Sequence, residues 1–282
     1  MKTIGIIYNA RVPEALDLSN AIVNELSLEK QSWISPAENL DALRERVAGT
    51  DLVITAGGDG TILRAARVTA PSGIPMVGVN MGRLGFMTEL QVHEALERLP
   101  LYFDGDCRVE ERNMIQARVF REGGDRVLGE GPFHALNDVV LARGAISRVV
   151  TIRASIDSAD LTTFRADGLI VSTATGSTGY SLAVGGPILD PTSDELVIKP
   201  IAAHVGLTVS LVLRSSATIG MTLEGADEAV LSIDGFLDYT LVPGDRVELE
   251  QSPLKARFLR IQDPNHFYAT LTRRLGFSVR GQ

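Results

Sequence analysis

A short run of glycines interrupted by one acid is the first place where this sequence could do chemistry. The run reads Gly57-Gly58-Asp59-Gly60-Thr61. Glycines let the backbone approach a ligand closely, and the N–H groups of such a turn suit a phosphate. Because a carboxylate repels phosphate, Asp59 indicates a site that deprotonates a hydroxyl group or holds Mg²⁺ beside phosphates. The alternative is a structural turn in which Asp59 only caps the next helix.

A second segment concentrates small hydroxylated residues around glycines. Residues 164–183 begin as an apolar strand and continue through Ser, Thr and Gly to Tyr180 and Ala183, before Gly185-Gly186-Pro187. Hydroxyl groups offer many donors and acceptors at close range, as a nucleotide requires. The alternative is a polar turn between two strands.

A third element places an amide beside a carboxylate. Asn137 and Asp138 stand at the start of the apolar run Val139-Val140. The pair is a candidate for binding hydroxyl groups, with a solvated strand end or an Asx turn as the alternative.

The first hundred residues alternate strand and helix, which predicts a parallel sheet covered on both faces. In such sheets ligands bind at the carboxyl ends of the strands, where Asp59 follows its strand. Residues 80–86, which leave the next strand at the same edge and contain two glycines, are predicted to form a second wall of this site. The predicted strands cover 3–8, 32–34, 51–56 and 76–79, and the predicted helices 13–29, 39–48 and the residues after Thr61.

From about Arg108 the pattern becomes that of antiparallel strands. We therefore predict an α/β domain over 1–106, completed by 262–282, and a β-rich domain over 107–261, with the closing helix returning to the first domain. The predicted strands cover 115–121, 149–156, 207–213, 229–233 and 246–249, with turns at 123–125 and 243–245 and a helix at 266–275.

Composition and charge narrow the class of protein. The 282 residues are 45% hydrophobic and 22% charged, typical of a globular chain. A net charge of −8 argues against a general surface for nucleic acid or anionic membranes. The single Cys107, with no signal peptide and no apolar run long enough to span a membrane, indicates a cytoplasmic protein.

Together the three elements resemble the NAD kinase family, in which a GGDGT turn, an Asn-acid pair and a glycine-rich block from Asp167-Gly168 to Gly185-Gly186-Pro187 follow in this order. Lipid kinases and phosphofructokinases have similar GGDGT turns, so the third block singles out the NAD kinases. The resemblance covers Ile4 to about Val247. It implies an α/β domain followed by an all-β domain, with the active site in the crevice between them.

The resemblance also implies roles for single residues. Asp59 matches the proton acceptor, with Gly60 beside it, and Phe86 matches an aromatic position near the adenine. Asn137 and Asp138 match a clamp on the adenosine ribose hydroxyls, although the family usually has Glu in place of Asp138. The other matches to substrate-binding positions are Arg148, Arg165, Asp167, Thr178, Gly179, Tyr180, Ser181, Ala183, Ala202 and His204.

The implied reaction transfers the γ-phosphoryl group of ATP to the 2′-hydroxyl of the adenosine ribose of NAD. Mg²⁺ would arrive with ATP, and no residue is assigned as a metal ligand. Asp167 and the segment Ala202–His204 resemble contributions from a neighbouring subunit, which implies a homo-oligomer, dimer or tetramer. Two other functions stay open: a diacylglycerol-type lipid kinase and a non-catalytic dinucleotide-binding regulator. The sequence leaves open whether polyphosphate replaces ATP and whether NADH is used.

Overall fold

A computed structural model describes residues 2–82, 85–121, 131–145 and 148–276. They form two compact units, one containing the residues up to Glu111 and from Ala256 onward, the other running from Arg112 to Lys255. Both changes of unit fall inside long strands, Arg108–Phe120 and Arg246–Arg260. The boundaries predicted from the sequence are at 106 and 261. No change of composition marks a boundary inside a strand.

The first unit is an α/β unit. Its strands and helices alternate as the apolar pattern predicts. They are β1 (Ile4–Tyr8), α1 (Pro13–Glu25), β2 (Ser32–Pro36), α2 (Leu40–Val47), β3 (Leu52–Gly57), α3 (Asp59–Thr69), β4 (Pro75–Asn80), β5 (Leu90–Gln91) and α4 (Val92–Asp104).

The sheet of this unit is parallel. Its strand order is β2-β1-β3-β4, and β5 pairs with the end of β4. Strand β3 is buried along its whole length, as expected of a strand covered on both faces. Its side chains share an apolar core with those of β1, β4, α1 and α4. The glycine turn therefore follows directly on a strand that the apolar core of this unit holds in place.

The second unit consists mainly of strands. The strands are β6 (Arg108–Phe120), β7 (Phe133–Ala135), β8 (Asp138–Arg143), β9 (Val150–Ile156), β10 (Ala159–Ala166), β11 (Gly168–Ser172), β12 (Leu196–Ile201), β13 (Leu211–Leu213), β14 (Ile219–Glu224), β15 (Ala229–Ile233), β16 (Leu237–Leu241) and β17 (Arg246–Arg260). A short helix, α5 (Tyr180–Ala183), lies between β11 and β12. The chain then closes with α6 (His266–Arg274), which belongs to the first unit.

Antiparallel pairing organises this unit. One sheet has the order β13-β12-β11-β8-β15-β16, and a second run of paired strands has the order β10-β9-β14-β17. Buried and half-buried residues alternate along β14 and β15, so one face of each strand packs into a common core. The predicted fold class, α/β followed by β with a returning helix, is confirmed.

Several predicted bounds are wrong in detail. Helix α1 ends at Glu25 rather than residue 29, because the chain turns at Ser27, where φ is 55°. In the predicted strand 207–213 only Leu211–Leu213 is strand. Helix α4 was not predicted, because Pro100 lies inside it, although a capping box of Gln91 and Glu94 marks its start. The predicted turn at 123–125 lies outside the described residues.

Candidate functional site

Asp59 lies at the amino end of α3, directly after the buried strand β3. Its half-buried carboxylate accepts two main-chain hydrogen bonds, from the N–H of Phe86 to Oδ2 at 2.8 Å and from the N–H of Met87 to Oδ1 at 3.1 Å. The capping alternative is wrong, because the N-cap is Gly58 and the Asp59 oxygens bind residues outside the helix. Asp59 instead fastens a neighbouring segment to the turn.

Glycines determine how much space surrounds this carboxylate. A Cβ on Gly85 would lie 2.3 Å from Asp59 Oδ1, so no larger residue fits there. A Cβ on Gly60 would meet no described residue within 4 Å, and Gly60 is exposed. The Asp59 carboxylate is therefore packed closely against Gly85, whereas the turn itself is open at Gly60, where a ligand can approach.

Two arginines near the C-terminus hold the segment that binds Asp59. Arg260 Nη1 donates to the Met87 carbonyl at 2.8 Å, and Arg274 Nη1 donates to the Phe86 carbonyl at 3.3 Å. The Arg274 guanidinium also lies 5.8 Å from the centre of the Phe86 ring, within cation–π range. Both residues whose N–H groups bind Asp59 are thus held at their carbonyls as well.

Arg260 is itself part of a buried ion-pair network. It pairs with Glu89 at 3.1 Å and with Glu110 at 3.2 Å. Glu89 also accepts the N–H groups of Ile261 and Gln262, at 2.8 and 3.0 Å. Buried charges are tolerated when they are paired and hydrogen-bonded in this way. The network gives the Phe86–Met87 segment a fixed support.

In the second unit, another carboxylate binds the residues that lead into β8. Asp234 follows β15 and is 6% exposed. Its oxygens accept the N–H groups of Leu136 at 2.8 Å, Asn137 at 2.7 Å and Asp138 at 3.1 Å. The main chain that carries the predicted ribose clamp is therefore fixed by one side chain.

The Asp138 carboxyl group is buried beside that of Asp234. Burial, and after it the charge of Asp234, raises the pKa of Asp138 from 3.8 to about 7. Asp138 is 6% exposed, so the interpretation as a solvated strand end is wrong. Near neutral pH this carboxyl group is present in both forms, and it can donate as well as accept a hydrogen bond.

The Asn137 side chain has unused hydrogen-bonding capacity. Its Oδ1 is buried and has no hydrogen-bond partner among the described residues. Its main-chain carbonyl accepts the N–H of Thr173 at 2.9 Å, and a Cβ on Gly176 would lie 2.1 Å from that oxygen. The glycine-rich segment therefore packs directly against Asn137 and keeps it in place.

Most hydroxyl groups of the glycine-rich segment are used internally. Thr173 Oγ1 donates to the Leu136 carbonyl, and Ser177 Oγ to the Ala174 carbonyl, both at 2.6 Å. Thr178 Oγ1 donates to the Thr175 carbonyl at 3.2 Å. These groups shape the turn rather than present donors to a ligand. Ser181 Oγ differs, because it is buried and has no partner among the described residues.

A cavity of about 590 Å³ brings several predicted residues together in the second unit. Asn137, Asp138 and Tyr180 line it, and the Tyr180 residue is 46% exposed. Gly179, Ser181 and Ala183 are neighbours of Tyr180 along the chain. The other lining residues are Val140, Ala142, Arg143, Gly144, Val230, Ser232, Asp234, Gly235 and Asp238.

A second group of predicted substrate-binding residues consists of Arg165, Asp167, Ala202 and His204. The N–H of His204 donates to the Arg165 carbonyl at 2.7 Å, and the N–H of Asp167 to the Ile201 carbonyl at 2.9 Å. Exposed Ala202 has a φ of 45°, so the chain turns sharply there. Arg143 pairs with Asp167 at 3.1 Å and also lines the cavity, which connects the two groups.

Arg148 lies apart from both groups. It is exposed and pairs with Asp227. It lines a separate opening of about 580 Å³, which shares Arg143, Gly144 and Val230 with the cavity of Asn137. The described contacts of Arg148 are those of a surface ion pair.

No group of three or more His, Cys, Asp or Glu side chains within residues 2–82, 85–121, 131–145 and 148–276 is arranged to hold a metal ion. No helix in the same ranges is long and apolar enough to cross a membrane.

Asp234, Arg260 and Arg274 were not predicted from the sequence. Each acts on residues far along the chain, since Asp234 binds Asn137 and the two arginines bind Met87 and Phe86. One signal was available for Asp234. Asp234-Gly235 follows an apolar strand, as an acid-glycine turn does at Asp59-Gly60.

Two family models match this chain. The model of the ATP-NAD kinase N-terminal domain matches residues 27–107, and that of the ATP-NAD kinase C-terminal domain matches residues 136–261. Two solved structures share the fold. They are yeast NADH kinase complexed with NADH (TM-score 0.88, 22% identity, covering 100% of this chain and 89% of that chain) and an NAD kinase from Archaeoglobus fulgidus in complex with ATP (TM-score 0.74, 20% identity, covering 98% and 100%).

Bacterial relatives are more similar in sequence. The NAD kinase of Dehalococcoides mccartyi is 41% identical over 275 residues, which cover 97% of this chain and 96% of that protein. The NAD kinase of Chloroflexus aurantiacus is 43% identical over 278 residues, covering 98% and 99%. None of these matches supports a lipid kinase or a non-catalytic regulator. The chain belongs to the NAD kinase family.

Proposed function

We propose that the cavity lined by Asn137 and Asp138 binds the adenosine ribose of NAD. The observation that carries this proposal is the buried Asn137 Oδ1, which has no partner among the described residues. A ribose hydroxyl group supplies the donor that this oxygen needs, because a buried acceptor without a partner is costly. The adjacent Asp138 carboxyl group meets the second hydroxyl group. A cavity of about 590 Å³ has the size of a small-molecule site.

As an NAD kinase, the protein transfers the γ-phosphoryl group of ATP to the 2′-hydroxyl of this ribose and forms NADP. In our proposal Asp59 accepts the hydroxyl proton, and the open turn at Gly60 admits the substrate. The N–H groups of Phe86 and Met87 hold the carboxylate in one orientation. Phosphoryl transfer depends mainly on alignment and charge stabilisation, and a general base adds about 10²–10⁴-fold.

The proposal includes Mg²⁺ as part of the substrate Mg²⁺-ATP. Asp59 adds a negative charge where the phosphates react, in a protein whose net charge is −8. A divalent cation that bridges phosphate oxygens offsets this repulsion. A cytoplasmic location is also part of the proposal, because the described Cys107 is a free thiol and ATP is the phosphoryl donor.

The last part of the proposal is a homo-oligomer in which two subunits contribute residues to each active site. The segment next to Ala202 and His204 exposes an unusual number of apolar side chains, since Val205 is 53%, Val209 59% and Val212 50% exposed. A second copy of the chain would cover them. Mixing Asp59→Asn protein with Asp167→Ala protein tests the idea. Activity that returns after subunit exchange supports shared sites, and continued inactivity despite confirmed exchange contradicts them.

The ribose clamp is tested by Asn137→Ala. We expect the KM for NAD to rise about tenfold, because one buried hydrogen bond to the substrate is lost, while the KM for ATP changes less than twofold. NADP formation under varied NAD measures both. Val149→Ala is the control, because Val149 lines the neighbouring opening and not the cavity of Asn137. An unchanged KM for NAD in Asn137→Ala would contradict the proposed clamp.

A further inference from the structure

The side chain of Asp234 makes an unusual set of contacts for an acid. Both of its oxygens accept main-chain hydrogen bonds, and the donors are the successive residues Leu136, Asn137 and Asp138. Three successive N–H groups that converge on one anion form a nest, an arrangement that binds negative charge. Here the bound anion is a side chain of the protein itself.

The contact is reciprocal and depends on a special backbone shape. The N–H of Asp234 donates to the Asp138 carbonyl at 3.0 Å, while Ile233 pairs with Val139 across β15 and β8. Asp234 has a φ of 50° and Gly235 a φ of 69°, both in the left-handed region. A non-glycine residue in this region is uncommon, and it persists where surrounding contacts compensate for the strain. The turn therefore aims the Asp234 carboxylate back at residues 136–138.

Asp234 also changes the electrostatics of its neighbour. Its charge is the second cause, after burial, of the raised pKa of Asp138. Asp238, Arg143 and Tyr180 are the other titratable side chains that line the same cavity. A protein that needed only a rigid turn would gain nothing from a second acid beside a buried carboxyl group, because like charges repel.

We propose that Asp234 is a positioning residue for NAD: it fixes the main chain of Leu136–Asp138 so that the Asn137 amide and the Asp138 carboxyl group face the substrate ribose. The inference rests on the proposed ribose clamp. Asp234 acts through these two residues and not on the reacting atoms. Its loss therefore weakens NAD binding more than it slows the transfer step.

Asp234→Asn tests the proposal, because an amide has one acceptor oxygen and its NH₂ group faces a main-chain N–H. We expect the KM for NAD to rise about tenfold or more, with kcat reduced less and the KM for ATP changed less than twofold. The midpoint of the pH dependence of the KM for NAD should also move to lower pH, because the charge that raises the pKa of Asp138 is gone. The split between the KM for NAD and kcat distinguishes a positioning role from a purely structural one, because removing the charge moves the midpoint in either case.

Asp245→Asn is the matched control. Asp245 is a buried acid of the same unit, which accepts the N–H of Val242 at 2.9 Å and pairs with Arg121. Its replacement should lower the melting temperature and leave the KM for NAD within twofold of the wild type. If Asp234→Asn does not fold, Asp234→Glu provides the comparison of KM values, because it displaces the acceptor oxygens; it keeps the charge, so its midpoint should stay in place.

The outcomes separate the two proposals. A raised KM for NAD in Asn137→Ala with an unchanged one in the folded Asp234 variant would overturn the positioning role alone. An unchanged KM in Asn137→Ala would overturn the ribose clamp and, with it, this inference. If both Asp234 variants fail to fold while Asp245→Asn folds, Asp234 is a structural residue and the proposal is wrong.

Discussion

Each unit of this protein contains an aspartate that binds the main chain of a distant segment. Asp59 in the first unit accepts the N–H groups of Phe86 and Met87, and Asp234 in the second accepts those of Leu136, Asn137 and Asp138. Each acid precedes a glycine, Gly60 or Gly235, and each lies close to the end of a strand. The hydrogen-bonding pattern alone does not tell which of them does chemistry.

The two aspartates differ in their exposure to solvent. Asp59 is half-buried beside the open position of Gly60, whereas Asp234 is 6% exposed. The surroundings differ in charge as well, because arginines support the segment bound by Asp59 and a second acid lies beside Asp234. A carboxylate that stays accessible can take a proton from a substrate. The buried carboxylate of Asp234 is instead occupied by three main-chain N–H groups and acts on the residues that carry them.

Asp59→Asn is the strongest test of this comparison. We expect kcat to fall by about 10²-fold or more, because the amide cannot accept the hydroxyl proton. The free energy of unfolding should fall by only about 1 kcal/mol, since one acceptor of a half-buried group is lost. Steady-state NADP formation and urea unfolding measure the two effects.

A small effect on kcat with a large effect on stability would contradict this distinction between Asp59 and Asp234. A kcat near that of the wild type together with a large loss of stability would make Asp59 a structural acid like Asp234. It would also return the dinucleotide-binding regulator to consideration, because a regulator needs the binding elements and no base.

Asp138→Asn tests the second unit, where the Asp138 carboxyl group is buried beside Asp234. The folded-state pKa of Asp138, about 7, lies above the ordinary 3.8, so the folded protein keeps a proton that the unfolded chain releases. Wild-type stability should therefore contain a contribution that falls by about 1.4 kcal/mol per pH unit between pH 4 and 7 and stays constant above. The variant lacks this contribution.

Urea unfolding at pH 5, 6, 7 and 8 measures the difference between the two proteins. The stability of Asp138→Asn relative to the wild type should rise up to pH 7 and then level off. Asn137→Ala is the control, because it alters the same site without removing an acid and its offset should not depend on pH. A constant offset in Asp138→Asn would show that the wild-type carboxyl group is ionised throughout.

Local patterns in the sequence indicate one part of the candidate site. The glycine turn at Asp59, the pair Asn137-Asp138 and the glycine-rich block stand as continuous runs, and an apolar strand leads into or out of each. The alternation of strands and helices likewise predicted the fold class. Such features depend on residues a few positions apart, which a sequence displays directly.

The contacts that support the candidate site could not be predicted, because they join residues that are far apart along the chain. Asp234 lies 97 residues from Asn137, and Arg274 lies 188 residues from Phe86. The hydroxyl groups of Thr173 and Ser177 read as ligand donors in the sequence, yet they bind nearby carbonyls. Whether a polar group faces a ligand or the protein is decided by tertiary packing, and spacing along the chain does not report it.

The smallest expected effect belongs to Arg274, which supports Asp59 from one residue further away. Arg274→Met keeps the length of the side chain and removes the donor to the Phe86 carbonyl. We expect kcat to fall about two- to tenfold, the equivalent of one hydrogen bond, with an unchanged KM for NAD. Arg273→Met, on the exposed side of the same helix, should have no effect. Arg274→Met is thus expected to lower kcat, whereas Asp234→Asn is expected to raise the KM for NAD, because Arg274 supports the proposed proton acceptor and Asp234 supports the proposed ribose-binding groups. Equal kinetics in Arg274→Met and Arg273→Met would show that the Phe86–Met87 segment holds Asp59 without help from the C-terminal helix.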